Sequence, residues 1–170
     1  MEREANSAKK YCHFIKVMGR SASHVALECA LQTQPNICLI SEEVAAKKMS
    51  LAQIADQIAD SVEKRAANGE NFGVAVIPEG VVEFVPEFSV LIAEINELLA
   101  GSKADAFNAL ATWADKYAFI EKGLTKESME VFALLPQTIQ QQLFLERDPH
   151  GNVQVSLIES EKLFSALVKD

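Results

Sequence analysis

The residues of this 170-residue chain best suited to chemistry sit in two short loops. One reads Met18-Gly19-Arg20-Ser21. A glycine there lets the backbone come close to a ligand, and the N–H groups of a helix starting just beyond it would face an anion such as a sugar phosphate. Arg20 adds a planar, permanently charged donor fork suited to phosphoryl oxygens. The other loop reads Pro78-Glu79-Gly80, a rigid frame for a carboxylate that accepts hydrogen bonds from sugar hydroxyls. Each also fits a plainer role: Gly19 as a tight turn with Arg20 in solvent, and Glu79 as a turn residue or helix cap. His24, at a helix start, suits either phosphate binding or a structural cap. His13 in an apolar strand and His150 in a turn carry no assigned role. The adjacent Glu42 and Glu43 are expected to diverge into solvent at a strand end.

The pattern around these loops says how they are held. Tyr11 to Val17 is rich in β-formers and predicts a strand, after which Ser21 or Ser23 can cap a helix over His24 to Thr33. Asn36 to Ser41 (NICLIS) predicts a short, continuously apolar strand at the buried centre of a parallel sheet. Ser50 opens a second amphipathic helix, ended by Asn68-Gly69, and Gly73 to Pro78 predicts another buried strand. Strands alternating with helices imply right-handed βαβ units, whose ligands sit beyond the carboxyl ends of the strands. Both loops fall at such ends, so they are expected to converge.

The predicted fold is α/β, a three-layer, mainly parallel, Rossmann-like sheet with an appended helical insert. Residues 1–101 form the α/β lobe. Residues 102–150 show only helical periodicity, and 151–170 return as a strand (Val153 to Ile158) and a final helix. A net charge of -8 spread over scattered carboxylates argues against nucleic-acid binding, and no run approaches the roughly 18 apolar residues of a membrane span. Cys12, Cys29 and Cys38, odd in number and widely spaced, read as reduced, mostly buried thiols of a cytosolic protein. The short polar lead before Tyr11 suits the edge of an excised segment as well as a natural start. No P-loop, GxGxxG, nucleophile elbow or HExxH motif is present.

The string KYCHFIKVMGRSASHVALECALQT, followed in order by PNICLISEE, VAVIPEGVVEFVPEFSVLIAEIN and LLPQTIQQQLFLERDPHGNVQVSLIESEKL, resembles long-type pyrophosphate-dependent 6-phosphofructokinases. The resemblance covers nearly the whole chain. It implies a cytosolic glycolytic enzyme, with the phosphofructokinase lobe as its fold, that moves phosphoryl reversibly from pyrophosphate to the 1-hydroxyl of fructose 6-phosphate with magnesium. Met18, Gly19 and Arg20 match the family's MGR motif, which holds the sugar phosphate and the phosphoryl group in transfer, so Arg20 would stabilise the transition state. Glu79 matches the PEG glutamate on the sugar hydroxyls. Lys10 and Tyr11 match a pair that reaches the neighbouring subunit's sugar site, which makes the complete site a property of a homo- or hetero-dimer.

The family's Gly-Gly-Asp-Asp pyrophosphate and magnesium loop and its catalytic-base segment would precede Lys10, and its Gly-Tyr-Glu-Gly-Arg motif would follow Asp170. None of the three is in this sequence. The expectation is therefore a fructose 6-phosphate-binding lobe, inactive alone, whose Mg2+ ligands and donor site belong to the remainder of a parent enzyme. The competing reading is a non-enzymatic interaction module on the same fold, docking through Trp113, Tyr117, Phe119 and Phe132.

Overall fold

A computed structural model describes residues 9–19, 23–100, 102–145, 147 and 152–169. Arg20, Ser21, Gly101 and residues 148–151, where a turn carrying His150 was expected, lie outside the described residues. The chain forms two compact units, Met1–Pro86 with Glu159–Asp170, and Glu87–Ile158. The second unit takes in residues 87–101, grouped above with the α/β lobe.

In the first unit β1 (Cys12–Val17), β2 (Ile37–Cys38) and β3 (Gly73–Pro78) are parallel, in the order β1-β3-β2. All six residues of β3 are buried, as a central parallel strand covered on both faces requires. From β1 the chain crosses over β3 to reach β2 and then returns to β3, so right-handed connections place helix α1 (His24–Thr33) and helix α3 (Leu51–Ala67) on opposite faces. Side chains alternate accordingly. Val74 and Val76 pack with Ala26 of α1 and with Ile15, Val17 and Cys38. On the other face, Ile58 and Val62 of α3 meet Phe14, Ile37 and Ala75 around a cavity of about 10 Å³. The result is the expected three-layer α/β arrangement. Ser50 and Gln53 close a capping box at the start of α3, with Gln53 N–H to Ser50 Oγ at 3.2 Å and Ser50 N–H to Gln53 Oε1 at 3.0 Å. The last helix, α9 (Ser160–Leu167), packs on β1 and α3, and its Leu163 and Phe164 are buried.

The structure corrects three expectations. NICLIS is not the centre of the sheet: β2 is a two-residue edge strand, with flanking pairing from Asn36 N–H to Val74 O and Leu39 N–H to Val76 O, both 3.0 Å. Its end is instead a helix, α2 (Ser41–Lys47), with Glu42 and Glu43 in the first turn and Lys47 in the last, a charge order that suits the helix dipole. Cys12 is exposed, whereas Cys29 and Cys38 are half-buried; all three are free thiols.

The third correction lies in the second unit, where Val153 to Ile158 is not a strand. Val153 makes one antiparallel bridge to Arg147 and donates its N–H to Asn96 Oδ1 at 2.8 Å, and Val155–Leu157 then turns as a 3₁₀ helix. A strand needs a neighbour for its backbone groups, and here a side chain supplies the partner. Otherwise this unit is helical: α4 (Pro86–Leu98), α5 (Ser102–Asn108), α6 (Trp113–Gly123), α7 (Lys126–Leu134) and α8 (Gln137–Leu145). Its centre is aromatic, with Phe144 between Phe107 and Phe132 at ring-centroid distances of 5.4 and 5.6 Å. Buried Gln140 donates to the carbonyls of Phe132 and Leu135, closing the end of α7. Glu94 accepts from both the N–H and the hydroxyl of Thr125, the residue that caps α7. Burial raises the pKa of Glu94, but the bonds from Thr125 and Ser128 outweigh it and hold the carboxyl below its ordinary value. No helix among the described residues is long and apolar enough to cross a membrane.

Ile77 is fully buried on the α3 side of β3 and directly precedes the Pro78-Glu79 loop. Ile77→Ala is expected to cost about 2–5 kcal/mol of stability, read by urea unfolding.

Candidate functional site

Parallel pairing brings the two loops together. In the β1–β3 register Val17 stands opposite Pro78, so both strands end at the same level. The Glu79 N–H extends the ladder to Val17 O at 2.9 Å, and the Glu79 side chain turns back to accept the Gly19 N–H at 3.3 Å. Gly19 has φ 144°, a conformation that side-chain-bearing residues rarely adopt, which explains why glycine stands there. Met18 is exposed (77%) and Glu79 half-buried. A carboxylate and a bare stretch of backbone thus meet at the carboxyl ends of adjacent parallel strands, where open α/β sheets place their ligands. Arg20 follows Gly19 directly but lies outside the described residues.

Lys10 and Tyr11 are elsewhere. They precede β1, with Tyr11 O accepting the Gly73 N–H at 3.1 Å, and both are exposed, the Lys10 ammonium lying 5.8 Å from the Tyr11 ring centroid. The length of β1, about 20 Å, separates them from Gly19 and Glu79. Within one chain the pair and the loops do not form one site.

A further set of contacts was not anticipated. Ser23, the N-cap of α1, is buried (3% exposed) and makes no side-chain bond to its own helix. Its Oγ accepts the Ser41 N–H of α2 at 2.8 Å, while its own N–H donates to Glu42 Oε1 at 3.0 Å. Each of the two helices therefore caps the other. The signal lay in Ser41-Glu42-Glu43, a helix-start pattern of serine followed by first-turn acids that was masked by the apolar run before it. His24, exposed at the first position of α1, is also near enough to Glu42 to act on its charge. His13 Nε2 is buried without a hydrogen-bond partner among the described residues. Partial desolvation raises the pKa of Cys12, despite its exposure and the opposing charge of Arg65, and burial raises that of Cys38, against the thiolate character a nucleophile requires.

The Ser23 backbone bond, with the Glu42 backbone and the Ser23 side chain, holds the Glu42 carboxyl below its ordinary 4.5, against a smaller opposing effect of burial. With the folded pKa depressed, this contact contributes fully above pH 4.5 and is lost as pH falls through the lower folded value. Carboxyl NMR of Glu42 is expected to show a midpoint below 4.5, with the Ser23 amide shift following it.

The phosphofructokinase family model matches residues 1–139. Among individual relatives, the pyrophosphate--fructose 6-phosphate 1-phosphotransferase of Treponema pallidum is 55% identical over 161 residues, covering 95% of this chain and 28% of the relative. That of Entamoeba histolytica is 52% identical over 169 residues, 99% of this chain and 31% of the relative. The Arabidopsis thaliana enzyme's subunit beta 2 is 51% identical over 166 residues, 98% and 27%. The chain thus spans about three tenths of the length of these relatives. Agreement of this extent, running through the strand ends that carry both loops, means that the chain belongs to the phosphofructokinase family.

Proposed function

We propose that this chain supplies the fructose 6-phosphate side of the active site of a pyrophosphate-dependent phosphotransferase. The carrying observation is the meeting of Gly19 and Glu79 across the β1–β3 pair. On this reading the Glu79 carboxylate, already oriented by the Gly19 N–H, accepts hydrogen bonds from sugar hydroxyls. The side-chain-free backbone at Gly19 lets the sugar phosphate approach, Met18 lines the exposed side, and the Arg20 guanidinium pairs with phosphoryl oxygens and stabilises charge that develops in transfer. The names of the relatives specify both substrates, pyrophosphate and fructose 6-phosphate.

Magnesium supplies charge neutralisation in phosphoryl transfer generally. Such a magnesium ion is usually held by one or two carboxylates together with the phosphates of the substrate, and this reading assigns it, with the donor site, to segments other than the Met18–Arg20 and Glu79 loops. These residues position the acceptor and neutralise charge on the sugar side. A glycolytic role in the cytosol accompanies this reading.

Lys10 and Tyr11 are read as reaching a neighbouring subunit's sugar site. Their separation from Gly19 and Glu79 by the full length of β1 favours this, as does the subunit naming of the plant relative. The interaction-module alternative loses an anchor, since Phe132 is fully buried in the aromatic core.

In the complete protein that carries this sequence, Glu79→Ala and Arg20→Ala are each expected to weaken fructose 6-phosphate binding at least about tenfold by titration calorimetry, while Cys12→Ser leaves it unchanged. Unaltered affinity in both loop variants would sink the assignment. Sharing of the site between subunits has its own test. Lys10→Ala and Glu79→Ala proteins, each impaired alone, should regain activity when dissociated and reassembled together, because mixed dimers contain one intact site; no recovery in verified mixed dimers rules the sharing out.

A further inference from the structure

Segment 20–22 joins two anchored residues. At its start, Gly19 is tied to Glu79. At its end, Ser23 is buried and held twice, by Glu42 Oε1 on its N–H and by the Ser41 N–H on its hydroxyl. Both of the latter partners belong to α2, which also packs against the 3₁₀ helix Val81–Phe84 that begins two residues after Glu79. Val44 of α2 and Val81, Val82 and Val85 are buried, so the brace is apolar on that side and polar on the other. A single short helix therefore reaches the far end of one loop through hydrogen bonds and the far end of the other through packing.

We infer that Glu42 is a positioning residue for the sugar-phosphate site: through the Ser23 N–H it fixes the end of the segment that carries Arg20. This rests on the reading of the Gly19 and Glu79 loops as the sugar side. Glu42 acts through the backbone and not as a ligand. Its negative charge opposes phosphate, and it already occupies the Ser23 N–H, so an anion at the start of α1 must be held by other donors. A guanidinium needs its whole fork aligned to bind phosphoryl oxygens bidentately, and Ser23, the residue that Glu42 holds, follows Arg20 by three positions in the sequence.

The test uses the complete protein that carries this sequence, comparing it unmodified with Glu42→Ala and Glu42→Gln. The glutamine keeps an oxygen that accepts the Ser23 N–H. Glu42→Ala is expected to weaken fructose 6-phosphate about tenfold, the worth of one charge-assisted hydrogen bond, with the pyrophosphate KM held within about twofold. Glu42→Gln should recover most of the loss. In hydrogen exchange without ligand, a peptide spanning 18–27 should exchange faster in Glu42→Ala and not in Glu42→Gln. Equal sugar affinity in all three proteins overturns the inference. So does a Glu42→Ala defect that raises both KM values alike and lowers the melting temperature, which marks a merely structural role. If the unmodified protein does not bind fructose 6-phosphate, the functional reading fails and takes the sugar role of Glu42 with it, and the exchange measurement alone then decides whether the contact anchors the segment.

Discussion

The site depends on the parallel pairing of β1 with β3. Because the two strands run in the same direction and in a register that sets Val17 against Pro78, their loops leave the sheet side by side. An antiparallel pair would have sent Met18 and Glu79 to opposite ends. That pairing is secured less by the ladder itself than by burial: every residue of β3 is covered, on one face by α1 and on the other by α3. Apolar area removed from water on both sides makes a one-residue slip costly, since it would reverse which of Val74, Ala75, Val76 and Ile77 meets which helix. Gly19 and Glu79 inherit their relative position from that locked register.

Much of this was legible in the sequence, for identifiable reasons. GVAVIP read as a buried strand, and Ser50 announced the helix it caps. The convergence of the two loops followed from alternating strands and helices alone. What stayed hidden depended on contacts distant in sequence. NICLIS is as apolar as a central strand, yet the chain crosses past β3 before placing it, so it finishes at an edge and its last residue starts a helix. Ser23 looked like a cap for its own helix, but its hydroxyl serves α2, 18 residues on. Nothing local distinguishes a serine that caps its own helix from one that caps a neighbour.

The helical unit shows the same division. Periodicity placed its helices, and of the four aromatics read as a docking face, Phe132 is buried edge-on against Phe144, Tyr117 and Phe119 are half-buried against Phe132 and Phe107, and Trp113 is half-buried. VQVSLI was misread because β-propensity describes a residue's fitness for a pleated surface and says nothing about whether a partner strand is present. Asn96 supplies the missing partner instead, binding both Arg147 and Val153.

The separation of Lys10 and Tyr11 from Gly19 and Glu79 carries a consequence for how such proteins can diverge. If one end of β1 serves the chain's own site and the other end serves a neighbour's, a copy whose own pocket has decayed still has work to do as a lender, and selection would preserve its lending end alone. Duplicated genes would then drift toward unequal pairs, one member keeping the chemistry and the other kept for its loan. On that reading, the separation that would make each chain insufficient by itself would also make a catalytically silent copy indispensable.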